Sequence, residues 1–280
     1  MRSGLRYGAH LPLIDFGGGW SITSYARAAR RLGYDALAVN DHLVFQRPWL
    51  DGIVALASVV EQSGDMQLCT TVALPVVRGP AAVAKAAAAL DVLSGGRLVL
   101  GVGPGSSRRD YEVAGVPFDE RWPRFEEAVR ALRAHLDGEA LQPAPVRRLP
   151  IWLASWGSDA GLRRIVRLGD GWLASAYNTT PAQVARARAA LGDLPCALAT
   201  MWTYVDDDPR ACQAHLAGLA AMLGRPPDQL ADRVLIGPAE QCAAVLRAYA
   251  GAGVERVFIW PVADTEEQLA RFMRDVVPLV

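Results

Sequence analysis

The chain has almost no lysine. Lys85 is the one lysine among 29 basic residues, and 29 acidic residues balance these to a net charge of zero. A neutral chain has no overall field that attracts nucleic acid or an anionic membrane, so we expect neither as a partner. Lys85 also lies in an alanine-rich helical segment rather than in a glycine-rich phosphate loop, which disfavours phosphoryl transfer.

Cysteine is scarce and long apolar runs are absent. Cys69, Cys196, Cys212 and Cys242 are far apart and form no Cys-x-x-Cys pair, so the sequence predicts reduced thiols and no metal site. No apolar stretch reaches transmembrane length, and the first residues do not have the pattern of a signal peptide. We therefore expect a cytoplasmic protein.

Two common catalytic motifs are missing. No Gly-x-Ser-x-Gly elbow occurs, and no cysteine has an evident paired base, so covalent hydrolysis is disfavoured. The run Gly101, Gly103, Gly105 departs from the Gly-x-Gly-x-x-Gly fingerprint because Ser106 stands where the last glycine is needed. The segment therefore does not predict the NAD-binding turn of a Rossmann domain.

Buried apolar runs alternate with helical patterns along the whole chain. Eight runs read as buried strands: Leu5–Leu11, Ala36–Asn40, Met66–Leu74, Arg97–Gly103, Pro150–Ala154, Gly171–Ala174, Ala197–Val205 and Arg256–Trp260. Eight βα units in this length predict a (βα)8 TIM barrel that occupies residues 1–280 as a single domain. An open doubly wound sheet is the structural alternative.

Capping residues mark the helix boundaries. Ser24 and Gly33 are predicted to begin and end the first helix. Later N-caps are predicted at Ser158, Thr180 and Asp208, and proline follows the last two. The segment 136–149 is predicted to be a loop that leads into the fifth strand.

Chemistry in a barrel is expected at the carboxyl ends of the strands, and the second strand ends in Asn40-Asp41-His42. His42 could donate a proton, bind a cofactor ring or be an ordinary loop histidine. Asp41 could orient the loop or bind the cofactor. His10, inside the first strand, could face the barrel interior, whereas His135 and His215 are predicted on helix surfaces.

The loop after the fifth strand, Ser155-Trp156-Gly157-Ser158, is predicted to bind phosphate. It opens a helix, whose first N–H groups and positive dipole end suit an anion. Few side chains elsewhere at the strand ends have the chemistry of a nucleophile or a base. The pattern therefore favours a reaction carried out by a bound cofactor.

Several long segments together resemble the luciferase-like monooxygenase superfamily, barrel oxidoreductases that use FMN or the deazaflavin coenzyme F420. The central segment is RLVLGVGPGSSRRDYEVAGVPFDERWPRFEEAVRALR, residues 97–133. The segments 80–96, 150–173 and 236–259 agree with it in order. The resemblance covers nearly the whole chain and also implies the barrel.

The resemblance implies roles for particular residues. Asp41 and His42 correspond to an Asp-His pair beside the coenzyme ring, with the histidine near the face of hydride transfer. Further cofactor contacts are implied at Gly103, Gly105 and Ser106, at the phosphate loop Ser155, Trp156, Gly157 and Ser158, and at Ala73, Leu74 and Pro75, where the family has a cis peptide that forms a bulge behind the ring. Phe45 and Arg109 are the candidate substrate contacts.

Two departures separate the chain from the sugar-phosphate dehydrogenases of that superfamily. Those members carry a carboxylate near the position of Ser106 and a tryptophan four residues after the histidine, where this chain has Gln46. Their substrate is therefore not implied. The glycine-rich loop at residues 11–20, together with Phe45, indicates an apolar, aromatic small molecule instead.

The resemblance leaves the cofactor open between F420 and FMN. With F420, the expected reaction is hydride transfer to or from an organic substrate. With FMN, it is monooxygenation, with a separate reductase as a partner that supplies reduced cofactor. The Asp-His pair, and Arg108 and Arg109 as contacts for an anionic tail, favour F420. A homodimer is expected by analogy, and a non-catalytic binding protein on the same scaffold is the further alternative.

Overall fold

A computed structural model describes residues 4–14 and 21–280 and has a closed ring of parallel strands at its centre. The strands are β1 (Arg6–His10), β2 (Ala36–Val39), β3 (Gln67–Thr70), β4 (Leu98–Val102), β5 (Ile151–Ser155), β6 (Gly171–Ser175), β7 (Cys196–Val205), β8 (Leu235–Gly237) and β9 (Arg256–Pro261). The ring runs from β1 to β7 in chain order, continues with β9 and returns to β1. The predicted TIM barrel is confirmed, and the open sheet is wrong.

Helices surround this ring. They are α1 (Ile22–Leu32), α2 (Gly52–Ser58), α3 (Pro75–Arg78), α4 (Pro80–Leu93), α5 (Arg108–Ala114), α6 (Arg121–Asp137), α7 (Asp159–Leu168), α8 (Pro181–Leu191), α9 (Pro209–Leu223), α10 (Asp228–Ala231), α11 (Ala239–Gly251) and α12 (Thr265–Arg271). A π-helical turn (Phe272–Val276) and two 3-10 turns (Phe118–Glu120 and Val277–Leu279) complete them. Within the described ranges, no helix has the length and apolar character needed to cross a membrane.

The eight predicted strands are the eight strands of the ring, with two differences in detail. The third strand ends at Thr70 rather than Leu74, because the chain leaves the sheet through a cis peptide between Thr71 and Val72. The three-residue β8 was not predicted. It pairs with the outer half of β7 and lies outside the closed ring.

Most of the predicted caps are confirmed. Ser158, Thr180 and Asp208 each accept a hydrogen bond from a first-turn N–H group, and Gly33 ends α1 in the left-handed conformation, with φ of 88°. The start of α1 was wrong by three residues, because Ser21 is the residue that caps it. The Ser24 hydroxyl instead donates to the Glu266 carboxylate at 2.9 Å.

Side chains fill the interior of the barrel below its mouth. Alternate strand residues point inwards, and Trp152 and Phe258 are the largest of them. Glycines make room for both rings: a Cβ on Gly8 would lie 2.5 Å from the Phe258 ring, and one on Gly171 would lie 2.7 Å from the Trp152 ring. Within the described residues, the interior of the barrel is therefore filled, and a molecule bound in the barrel would lie at the carboxyl ends of the strands.

Candidate functional site

A histidine and a buried carboxylate form a pair at the mouth of the barrel. His42 follows β2, and its Nδ1 atom lies 2.8 Å from Oδ2 of Asp110, in the first turn of α5. The other oxygen, Oδ1, accepts the N–H groups of Leu43 and Val44 at 2.9 and 3.0 Å. The Asp110 side chain is 1% exposed and that of His42 is 19% exposed, so the imidazole is the part of the pair that a bound molecule can reach.

These hydrogen bonds keep Asp110 ionised. Burial acts to raise the pKa of its carboxyl, but the bonds from His42, Val44 and Leu43 outweigh burial, and the pKa lies below its usual range. An ionised carboxylate can only accept, so the Nδ1 atom of His42 carries the proton of this hydrogen bond. The remaining ring nitrogen, Nε2, is the atom of His42 that is left to exchange a proton with a bound molecule.

Sequence analysis missed Asp110. An acidic residue in the first turn of a helix is ordinarily explained by the helix dipole, and 68 residues separate it from His42. Its place after β4, at the same end of the barrel as His42, is the one signal that could have singled it out.

Asp41 forms an ion pair with Arg78, which lies in α3. Its two carboxylate oxygens accept from Nε and Nη2 of Arg78, each at 2.6 Å, and Oδ2 also accepts the Leu74 N–H at 3.3 Å. Arg78 reaches Asp51, the N-cap of α2, at 2.6 Å as well. Arg78 therefore ties both ends of the loop 41–51 to the segment that follows β3, and it occupies both oxygens of Asp41.

The bulge after β3 differs from the one implied at Ala73, Leu74 and Pro75. Those three residues are buried, Leu74–Pro75 is not a cis peptide, and the cis bond lies at Thr71–Val72. Val72 is thus the half-exposed residue of this bulge. A Cβ on Gly103 would lie 2.8 Å from the Val72 side chain, so glycine at 103 is what allows Val72 to sit at the mouth.

The remaining predicted residues of the central motif are Gly105, Ser106 and Arg109, and they lie in different environments. Gly105 has φ of 79°, and a Cβ there would lie 3.0 Å from Leu74, so the loop packs against the segment after β3. Ser106 and Arg109 are exposed, and the adjacent Ser107 caps α5. Cofactor contact by Ser106 and substrate contact by Arg109 stay predictions.

The loop after β5 brings two hydroxyl groups to the start of α7. Ser158 Oγ caps the helix through the Gly161 N–H at 3.2 Å, and Ser155 Oγ accepts the Gly157 N–H at 3.2 Å. A Cβ on Gly161 would lie 2.1 Å from Ser155 Oγ, so the close approach of Ser155 requires that glycine. Both hydroxyl hydrogens remain available, and this donor set fits a phosphate. Trp156, beside them, is 57% exposed.

Aromatic side chains surround His42. The ring of Phe45, the candidate substrate contact, lies 4.9 Å from the imidazole, and so does the ring of Trp49. The glycine-rich loop at 11–20 lies partly outside the described residues, which stop at Ile14 and resume at Ser21. His135 lies in α6, and His215 in α9 packs on Tyr204 at 4.0 Å, both half-buried.

Acid is expected to destabilise the fold through His10. This residue is 1% exposed, and burial lowers its pKa from 6.5 to about 3, against the opposing effect of its hydrogen bond to Leu11 O. Between these values the unfolded chain binds one proton more than the folded chain, so the free energy of unfolding falls as the pH falls, by about 1.4 kcal/mol per pH unit. Urea unfolding between pH 7 and pH 5 measures this slope.

A variant isolates the contribution of His10. His10→Gln should have a shallower pH dependence than the parent chain, by about one proton below pH 6. Equal slopes in the two proteins would contradict the assignment of a neutral, buried imidazole.

A barrel with a histidine–carboxylate pair, a bulge and a phosphate-type loop at one mouth is an arrangement typical of barrels that act with a bound cofactor. The family model described as luciferase-like monooxygenase matches residues 20–224, nearly three quarters of the chain, and the chain belongs to that family. Membership of this family places it among oxidoreductases.

Full-length relatives and solved structures agree with this membership. An F420-dependent glucose-6-phosphate dehydrogenase of Amycolatopsis mediterranei is 26% identical, with 92% of this chain and 93% of the relative covered. An F420-dependent secondary alcohol dehydrogenase in complex with an F420-acetone adduct has the same fold, with a TM-score of 0.84, 17% identity and 99% of both chains covered. The oxygenating constituent of 3,6-diketocamphane monooxygenase from Pseudomonas putida, in complex with FMN, has a TM-score of 0.71, 15% identity and 98% coverage of both chains.

Proposed function

We propose that the protein is an F420-dependent oxidoreductase that transfers hydride between the deazaflavin and a small organic substrate. The observation that carries this proposal is the His42–Asp110 pair, which presents one ring nitrogen at the mouth of a filled barrel. The similarity to full-length F420-dependent relatives supports the choice of cofactor.

Two parts of the site would hold the cofactor. Its phosphate would be bound by Ser155, Ser158 and the first N–H groups of α7. The exposed carboxylate of Asp159, in the same turn, would repel the phosphate and so oppose this binding. The half-exposed Val72 and the Gly103 backbone would support its ring system. When bound, F420 supplies a ring carbon that accepts or releases hydride.

The protein's own contribution is to place and move a proton. Asp110 fixes the imidazole through Nδ1, so Nε2 of His42 can take a proton from a substrate that is being oxidised or return one to a substrate that is being reduced. Asp41 keeps the loop that carries His42 in place through Arg78. We therefore assign Asp41 to positioning and His42 to catalysis.

Binding of the two cofactors in parallel tests the proposal. Purified protein is titrated with oxidised F420 and with FMN, and cofactor fluorescence is followed at equal concentrations. Micromolar or tighter binding of F420 with weak binding of FMN is the expected result. Ser158→Ala should weaken F420 binding because it removes a hydroxyl group from the phosphate loop, whereas Ser24→Ala, at a half-buried serine in α1, should leave binding unchanged.

The other outcomes are equally informative. Selective binding of FMN would replace the proposal with an FMN-dependent monooxygenase that needs a separate reductase. Binding of neither cofactor would overturn the cofactor-dependent reaction and favour a barrel that only binds ligands.

A further inference from the structure

Aromatic rings in contact with one another form a continuous wall at the mouth of the barrel, beginning beside His42. The Trp49 ring lies 4.9 Å from His42 and 6.2 Å from Trp260, the penultimate residue of β9. Trp260 stacks on His10 of β1 at 3.6 Å and on Trp202 of β7 at 4.1 Å. We call His10, Trp49, Trp202 and Trp260 the aromatic wall.

The aromatic wall holds three buried polar atoms without a hydrogen-bond partner. They are Nε2 of His10, Nε1 of Trp49 and Nε1 of Trp202. Buried polar groups are ordinarily paired, because leaving one without a partner destabilises the fold. Trp172 of this same chain follows the rule, with its Nε1 donating to Ser155 O at 2.9 Å. Three unpaired atoms in one cluster beside a catalytic histidine therefore indicate that a bound molecule supplies the partners.

The hydrogen-bonding character of these three atoms limits the class of molecule that can pair with them. Nδ1 of His10 lies 2.8 Å from the Leu11 carbonyl oxygen, which can only accept, so Nδ1 carries the hydrogen. Burial lowers the pKa of His10 to about 3, which leaves the ring neutral and Nε2 as an acceptor. The two indole N–H groups are donors. The wall thus offers one acceptor and two donors and carries no charge.

Two arginines on neighbouring segments already have partners. Arg225 packs on the ring of Tyr177, which borders the same cluster, and donates to Tyr177 O and to the Asn178 side chain. Arg78 pairs with Asp41 and Asp51. An anionic substrate group would have to displace these contacts to pair with either arginine, whereas a neutral polar group would not need to.

We propose that the aromatic wall is the substrate site and that the substrate is an uncharged molecule with a flat, apolar body bearing a hydroxyl or carbonyl group. A hydroxyl group would donate to His10 Nε2, and a carbonyl group would accept from the indole N–H groups of Trp49 and Trp202. The wall reaches the mouth at the half-buried Trp49 and along Trp202 and Trp260, which are 7% and 5% exposed. This inference rests on the proposed function and names its substrate class.

Ligand binding, measured with and without F420, tests the inference apart from turnover. The probes are acetophenone and 1-phenylethanol. Three comparison compounds are ethylbenzene, which has the same aromatic body without a polar group, benzoate, which is anionic, and glucose 6-phosphate, which is a phosphorylated sugar. Calorimetry or ligand-observed NMR gives each dissociation constant. We expect the ketone and the alcohol to bind at least tenfold more tightly than the three comparison compounds.

Two matched variants locate the site. Trp202→Phe keeps an aromatic side chain, though a smaller one, and removes a donor. It should weaken acetophenone binding about fivefold to tenfold, which is the loss of about one hydrogen bond. Trp172→Phe removes an indole N–H that already has a protein partner, and it should leave acetophenone binding unchanged. Circular dichroism confirms that both variants are folded.

The outcomes separate this inference from the proposed function. Binding of F420 together with equal affinity for ethylbenzene and acetophenone, or with preference for glucose 6-phosphate or benzoate, would overturn the substrate class alone. An unchanged acetophenone affinity in Trp202→Phe would overturn the location of the site. Failure to bind F420, with acetophenone still bound at the wall, would overturn the cofactor and leave the ligand site standing.

Discussion

Replacing His42 by alanine is expected to lower turnover of the F420-loaded enzyme by about 10²- to 10⁴-fold, the usual contribution of a positioned acid–base group. The imidazole is the part of the His42–Asp110 pair that a substrate can reach. Its loss should leave the affinity for the cofactor phosphate unchanged, because Ser155 and Ser158 lie on a different loop. Single-turnover kinetics and cofactor titration measure the two quantities separately.

Two further variants test whether the loss of turnover is specific to the His42 imidazole. His135→Ala, in the last turn of α6, should keep full turnover. Asp110→Asn should retain part of the activity, and it should also change the ¹⁵N chemical shifts of the His42 ring, because an amide side chain no longer requires the proton at Nδ1. Full turnover in His42→Ala would remove this residue from the mechanism.

Replacing Asp41 by asparagine is expected to lower the free energy of unfolding by about 2 kcal/mol. Breaking a buried ion pair costs about 3–5 kcal/mol, and the cost here is smaller because Arg78 is 20% exposed and keeps Asp51 as a partner. Turnover should fall by less than in His42→Ala, because Asp41 acts through the position of the loop. Urea unfolding and kinetics on the same preparations test both effects.

An exposed ion pair provides the matched control. Asp119 is 86% exposed and lies 3.5 Å from Arg108, so Asp119→Asn should change the free energy of unfolding by less than about 0.5 kcal/mol. If Asp41→Asn unfolded like the parent chain yet lost all turnover, Asp41 would act on the chemistry itself.

The sequence was sufficient to predict the barrel because each ring strand is a short apolar run that is buried on both faces. It did not reveal β8, because Leu235–Gly237 is too short to show a period and lies next to a helical pattern. The cap at Ser21 was missed because two serines, three residues apart, each suit the start of α1. Local signals of this kind locate an element but not its exact end.

The site was predicted in part, and the missing parts are long-range contacts. His42 could be chosen from its position after β2. Its pairing with Asp110, and the pairing of Asp41 with Arg78, could not be predicted, because both depend on how distant strand ends meet. The resemblance placed the cis peptide of the bulge within Ala73 to Pro75, whereas the structure has it at Thr71–Val72, three residues before Leu74–Pro75.

The filled interior of the barrel has a kinetic consequence. Because Trp152 and Phe258 occlude the channel along the barrel axis, two reactants that meet at His42 must arrive and depart by the same side. Whichever lies deeper has to enter first and leave last. For two reactants that lie one above the other, an ordered sequential rate law, with one product competing against one reactant, is the expected result of these two aromatic rings and the two glycines that accommodate them.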